Sequence, residues 1–338
     1  MTEPMDESLR DDDEGRTAGA VLPVVRMMTV ELSLVADETG ALPAWPTTTF
    51  RGALGTALRR RVCVTGYETC GGCPQILHCS YGLLWHPPMP ADVRIPRRAE
   101  SPPKPYVIEA AGAGRPRSVA RGDRLALRLK LFGDVRNHVP HFIMAARDAA
   151  AGGLGARLLR FALVAASSVD RDGHAVRLWT ERDGFHRYNE LQQILVAQWP
   201  HVPGRNRVRL SLETPLAIKR EGVIASRFHP DVFTARLGER LDLLSLYFEG
   251  RETDWDFMAL RALSREARVI HHDVRPDSFM RDAARQSRRV PMEGLVGELV
   301  LEGVHPRVLS LWRCAEHIHV GKNAAFGFGK VRVEVLYP

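Results

Sequence analysis

Cys314-Ala315-Glu316-His317-Ile318-His319-Val320-Gly321-Lys322-Asn323-Ala324-Ala325-Phe326-Gly327-Phe328-Gly329-Lys330-Val331 carries a helical pattern through three glycines into a strand. The helix begins near Pro306 and fades at about His317, and Val331, Val333 and Val335 then share one strand face. This order excludes the common phosphate-binding folds. A P-loop needs a glycine five residues before its Gly-Lys pair and Ser or Thr after it, whereas Gly329-Lys330 follows Ala324 at that spacing and precedes Val331. A dinucleotide fingerprint runs strand, glycines, helix, and here the direction is reversed. The C-terminus of a helix is its negative end, so an anion held here depends on backbone N–H groups in the turns and on side-chain cations. Lys322 and Lys330, two of only five lysines, flank the loop. Gly321, Lys322, Gly327, Gly329 and Lys330 are therefore expected to grip a phosphate backbone. The plainer alternative is that Gly327 and Gly329 relieve a tight turn. Phe326 and Phe328 have the character of base-stacking residues or of core, and at least one is expected in the core.

Upstream of this loop, Arg207 to Glu213 alternates with Val208, Leu210 and Leu212 inward. Helical patterns span Pro230 to Phe248 and Asp254 to Val269, and Leu295 to Leu301 reads as a strand. The first half has the same order. Val25 to Leu34 alternates, and Thr47-Thr48-Thr49 offers N-caps to a helix with Phe50, Leu54, Leu58 and Val62 on one stripe. Arg51, Gly55 and Arg59 lie on another strip of that helix, with Thr56 and Arg60 beside it. After a cysteine-rich segment and an irregular proline-rich run (Pro87 to Pro105), Asp123 to Phe132 alternates again. Val139 to Ala151 follows as a helix with Pro140 in its first turn, then Arg160 to Val169 as a strand. The expectation is an α+β protein of tandem ferredoxin-like (RRM-like, βαββαβ) domains, at 23–200 and 205–338, with a cysteine-rich insertion.

The chain carries +7, but Met1 to Arg16 holds seven acidic residues against two arginines; with that −5 leader set aside the body stands at +12. A basic body suits a polyanionic partner, although 42 arginines against five lysines also fit a GC-rich coding sequence. Residues 1–22 are expected to be a disordered acidic tail. No apolar run approaches the roughly 20 residues of a membrane span. The polar, acidic start is no secretory signal, so a cytoplasmic location is expected.

Four cysteines crowd into Cys63-x6-Cys70-x2-Cys73-x5-Cys79. In a cytoplasmic protein clustered cysteines point to a metal, here a structural zinc, with an iron–sulfur cluster as the second choice. Gly71-Gly72 lets the backbone turn around the ion. Cys314 is expected in the core. His317 and His319, with only Glu316 nearby, offer too few ligands for a further metal site.

The run His319-Val320-Gly321-Lys322 through Phe326-Gly327-Phe328-Gly329-Lys330 resembles the C-terminal signature of the CRISPR-associated endoribonucleases of the RAMP superfamily, which process precursor CRISPR RNA. Phe50-Arg51-Gly52-Ala53-Leu54-Gly55 through Leu58-Arg59-Arg60, Tyr106-Val107-Ile108, Arg121-Gly122-Asp123, Pro140-His141-Phe142-Ile143 and Met292-Glu293-Gly294-Leu295-Val296-Gly297-Glu298 resemble the same family, in the same order.

The resemblance implies metal-free cutting of CRISPR repeat RNA by 2′-hydroxyl attack, giving a cyclic phosphate and mature guide RNA that the protein can retain beside other CRISPR effector subunits. Such chemistry needs a base, an acid and cations at the phosphorane. His319, Lys322 and Arg59 are the expected catalytic residues; Arg51, Arg60, Gly321, Lys322, Gly327, Phe328, Gly329 and Lys330 are expected to bind RNA. Members of the family often carry Gly-His-Ala-Leu in the first helix, where this chain has Gly55-Thr56-Ala57-Leu58. Threonine is no general base at neutral pH, so His319 or the first-helix arginines must compensate. Otherwise the chain is a non-catalytic RAMP subunit that only binds guide RNA. A zinc-dependent DNA-binding regulator is a weaker reading, since no recognition helix follows the cysteines.

Overall fold

The computed structural model describes residues 23–336 except 89–101, 113, 135, 156–157, 187–193, 196–203 and 284–287. The acidic leader lies outside the described residues. In the first half the elements are β1 (Arg26–Ala36), α1 (Pro46–Val62), β2 (Tyr106–Ala110), β3 (Arg124–Phe132), α2 (Val139–Ala151) and β4 (Phe161–Val169). The strands pair antiparallel in the order β2-β3-β1-β4, and Ala175–Thr180 extends the sheet beyond β4. The second half repeats the plan with β5 (Asn206–Leu216), α3 (Pro230–Glu249), β6 (Arg268–Ala283), β7 (Arg288–Val304), α4 (Pro306–Ile318) and β8 (Val331–Leu336). Their order, β6-β7-β5-β8, is the same and again antiparallel. These are tandem ferredoxin-like units.

Alternation in β1 sorts its side chains between two cores. Met28, Val30, Leu32 and Leu34 join Phe50, Leu54 and Leu58 of α1 and Phe142, Ile143 and Ala146 of α2 in the first. Met27, on the opposite face, joins Val107 of β2 and Phe132 of β3 in the second core, with Leu237 of α3 and Trp312 of α4. The back of the first sheet is thus packed as part of the second unit.

Three sequence expectations need correction. The N-cap of α1 is Trp45 with Pro46 next, and Thr48 donates its hydroxyl back to the Trp45 carbonyl from inside the first turn. The helix expected over Asp254 to Val269 is confined to Phe257–Ser264, and Arg268 already starts β6. The second strand of each unit, β2 and β6, is absent from the sequence-based outline.

β6 and β7 form a long hairpin whose outer part leaves its own sheet. There Phe279, Val290 and Met292 pack with Trp45, just ahead of α1, and with Phe328 of the glycine-rich loop. Phe328 sits edge-on to both Trp45 (5.5 Å) and Phe279 (5.7 Å) and is 2% exposed. It is core, so Phe328→Ala should cost about 3–5 kcal/mol. Urea unfolding measures this; a midpoint equal to that of the parent protein would contradict the packing.

Candidate functional site

α4 ends at Ile318, and the next residue, His319, has φ 57° and ψ 165°. That is a region only glycine enters cheaply, costing another residue on the order of 1–3 kcal/mol. The side chain explains how the conformation is held. His319 is 0% exposed; its Nδ1 lies 3.1 Å from the Phe328 carbonyl and its Nε2 2.8 Å from Glu109 Oε1. Glu109 comes from β2 of the other unit. Lys130 Nζ of β3 approaches the same carboxylate oxygen at 2.6 Å, and Lys330 Nζ lies 3.7 Å from the other. Lys130 also donates to the Glu316 carbonyl at the end of α4, and Lys330 reaches Glu213 Oε2 at 3.2 Å.

Burial pushes the Glu109 carboxyl up, but His319, Lys130 and Lys330 outweigh it and hold the group well below the usual carboxylate range. Burial pulls His319 down while Glu109 opposes. Neighbouring His317 is pushed down to about 3, by burial first and then by Lys130. His319 is enclosed with both nitrogens engaged, so it does not stand open to RNA as the expected base. Its geometry is that of a clamp between the units.

The glycine-rich loop is also tied inward. The N–H groups of Val320, Lys322, Phe326, Gly327 and Gly329 donate to loop or β5-side carbonyls, and that of Lys330 to Thr214 Oγ1. These donors are spent and cannot cradle a phosphate. Gly327, at φ 88°, passes so close to β2 that a Cβ would lie 2.2 Å from the Ile108 carbonyl oxygen. At Gly329 a Cβ would lie 1.8 Å from the Val320 oxygen. The alternative reading of these glycines, tight passage, is the one the geometry follows.

Toward α1 and β6 the loop presents Phe326. Its ring is half-buried, with the Arg51 guanidinium of α1 4.3 Å from its centroid and that of Arg281, from β6, at 4.7 Å. Arg51 also lies 5.6 Å from the Trp85 ring and 5.8 Å from Tyr106, two rings stacked at 4.7 Å. Burial and then Arg51 lower the pKa of both Lys104 and Arg281. Among the described residues no carboxylate forms an ion pair with Arg51, Lys104 or Arg281. Two arginines thus flank the Phe326 ring, Lys104 lies within charge range of Arg51, and no described carboxylate pairs with any of the three, an arrangement that favours an incoming anion.

Residues 22–192 match a family model described as an N-terminal domain (AF_1859_N), and residues 210–331 match the CRISPR-associated endoribonuclease Cas6. Residues 210–331 are thus similar to the CRISPR-associated endoribonuclease Cas6. A Cas6 (TTHB231) product complex superposes with a TM-score of 0.55 at 19% identity, over 91% of this chain and 100% of that one. Thermus thermophilus Cas6 (TTHB231) gives 0.51 at 15% identity, over 92% and 99%. A partial Cas6-RT-Cas1–Cas2 complex gives 0.54 at 14% identity, over 92% of this chain and 46% of that one. No curated protein matches the sequence. At these identities the structures speak for the fold, and the family model for a CRISPR-associated endoribonuclease domain over residues 210–331. Among the described residues no helix is long and apolar enough to cross a membrane.

Arg59, Arg60 and Lys322 take no part in these cation–aromatic contacts. Arg59 donates to the Tyr67 and Glu68 carbonyls and so faces the cysteine segment. Arg60 and Lys322 are exposed, and Thr56 donates its hydroxyl to Gly52 within the helix. Arg281 and Glu109 lie in strands without clear polar alternation and Lys104 just before one, so none of them carries a local sequence signal.

The buried network has a pH signature. Between the ordinary 6.5 of histidine and about 3, the unfolded chain binds the His317 proton and the folded chain does not, so stability falls as pH drops through this window. Depressed Glu109 adds stability that is complete above the ordinary carboxylate pKa and lost at still lower pH. Urea midpoints should therefore decline from pH 7 to pH 4. Glu109→Gln, which leaves Lys130 and Lys330 short of a buried partner, should cost about 3–5 kcal/mol at pH 7. Equal midpoints across that range would refute this account.

Proposed function

We propose that this chain acts as a Cas6-type endoribonuclease and cuts CRISPR repeat RNA without a metal ion, by attack of the 2′-hydroxyl on the adjacent phosphate. The products are a 2′,3′-cyclic phosphate and a free 5′-hydroxyl, and the mature guide RNA stays bound, as in a cytoplasmic CRISPR ribonucleoprotein with other effector subunits. The observation that carries the reading is the pair Arg51 and Arg281 on either side of the Phe326 contact, with Lys104 adding charge near Arg51 and no described carboxylate paired to any of them. A phosphodiester in that patch relieves the mutual repulsion of the cations. The extra negative charge of the phosphorane gains more than the ground state does, which is the condition for catalysis. Phe326 offers a ring on which a base flanking the phosphate can stack.

In this reading Arg51 does what Thr56 cannot, by charge rather than by proton transfer. His319 is a positioning residue: it fixes the loop that carries Phe326. Exposed Lys322 and Arg60 contact the RNA backbone farther from the cut. Arg59 supports the segment after α1.

The test uses repeat RNA in EDTA, with a second substrate lacking the 2′-hydroxyl at the cut. Cleavage of the first alone, with a cyclic phosphate end, is expected. Arg281→Ala and Arg51→Ala should each slow single-turnover cleavage about 10²–10³-fold with little change in Tm. His319→Ala should lower rate and Tm together. Tight binding without cleavage would instead favour a non-catalytic guide-RNA-binding subunit.

A further inference from the structure

The segment from Cys63 to Cys79 follows α1 and precedes the short helix Ser80–Trp85. Its one regular feature is a 3-10 turn over Cys70–Gly72, where the Cys73 N–H donates to the Cys70 carbonyl. It lacks an apolar core to hold it: Val64 is 88% exposed, Leu77 61% and Tyr67 50%. Such a stretch needs some other staple.

The four thiols are reduced, partly buried, and line one pocket together with Thr65 and Ile76. Thr65 Oγ1 lies 3.3 Å from Cys73 Sγ. Arg59 stands beside Cys63 and Cys70 and adds a positive charge at the rim.

We propose that Cys63, Cys70, Cys73 and Cys79 bind one zinc ion as a closed structural site. Zn²⁺ replaces the four thiol protons, forming four Zn–S bonds and releasing four H⁺. The resulting Zn(Cys)₄ unit carries −2, which Arg59 partly offsets. Among the described residues the one trio with ligand atoms within 4.8 Å of one another is Asp170, Asp172 and His174, an exposed turn, so the cysteines are not yet at ligating distance. A tetrahedron with Zn–S bonds of 2.3 Å has sulfurs roughly 3.8 Å apart. In the proposed bound state the four side chains turn inward around the pocket they share, and Cys70 and Cys73, joined by the 3-10 turn, supply one edge of the tetrahedron. The role is to fasten the end of α1, three turns beyond Arg51, so the inference does not depend on the cleavage mechanism.

Metal content of the full-length protein, purified under reducing conditions and reconstituted with zinc sulfate before gel filtration, decides the matter. One zinc per chain is expected, reduced to a trace by Cys70→Ser or Cys73→Ser and unaffected by Cys314→Ser. Cobalt substitution should give the sulfur-to-cobalt charge-transfer and tetrahedral d–d bands of a four-thiolate site. Substoichiometric zinc in the parent protein, zinc retained by the double Cys70→Ser, Cys73→Ser variant, or iron with labile sulfide would each overturn the proposal. Metal stoichiometry is read without RNA, so it stands or falls apart from the endonuclease reading.

Discussion

A buried carboxylate, Glu109, holds the two units in register. Taking one carboxylate out of water costs several kcal/mol unless its lone pairs are filled by charged donors. Here the donors come from both sides of the seam: Lys130 from the same sheet, His319 and Lys330 from the second unit. Neither unit satisfies Glu109 alone. If the units parted, Glu109 would keep only Lys130, and His319 would lose the contact that pins its strained backbone. Apolar packing behind the first sheet supplies adhesion, and the polar cluster supplies the geometry, because hydrogen bonds tolerate less misalignment than methyl contacts do.

This constraint changes the meaning of the glycine-rich loop. As a sequence it has the ingredients of a phosphate cradle. In the structure its glycines let backbone pass within van der Waals distance of β2 and of the loop itself, and most of its N–H groups are already paired. The loop acts as a keystone that carries one functional side chain, Phe326, to the meeting point of α1 and the β6–β7 hairpin. Its cations are borrowed. Arg51 and Arg281 come from separate units, more than two hundred residues apart in sequence, so the patch exists only when the seam is closed.

The sequence made some of this legible for physical reasons. β1, β3 and β5 alternate because one face of each is packed more tightly than the other, and α2 and α4 announce themselves with proline in the first turn. The second strand of each unit was hidden for opposite reasons. β2 is buried on both faces, Val107 and Glu109 being covered by the second unit, so it has no polar alternation. β6 is an edge strand with most of its described side chains in solvent, so it has little apolar signal. Losing β2 and β6 meant losing Glu109 and Arg281, and with them the reason His319 is buried. Pairwise placement of this kind has no local signature. By contrast Phe328, Cys314 and the first-helix arginines were visible as candidates, and only their surroundings could assign them.

The division of labour along α1 follows from the same geometry. Helical residues four apart share a strip, so Arg51, Gly55 and Arg59 climb one side of α1 at successive turns. Gly55 lies against the Trp85 indole, where a Cβ would come within 2.5 Å of Nε1, and this contact separates the strip into two environments. Below it Arg51 meets Phe326 and the cation patch; above it Arg59 meets the carbonyls and thiols of the cysteine segment. Trp85 belongs to the short helix that ends that segment, and its ring is also part of the wall behind Arg51. Order in residues 63–79 is therefore transmitted to the cation patch through one indole. A chain with a loose cysteine segment would keep its seam and its loop, yet would hold Arg51 less firmly against the ring where the RNA phosphate is proposed to sit.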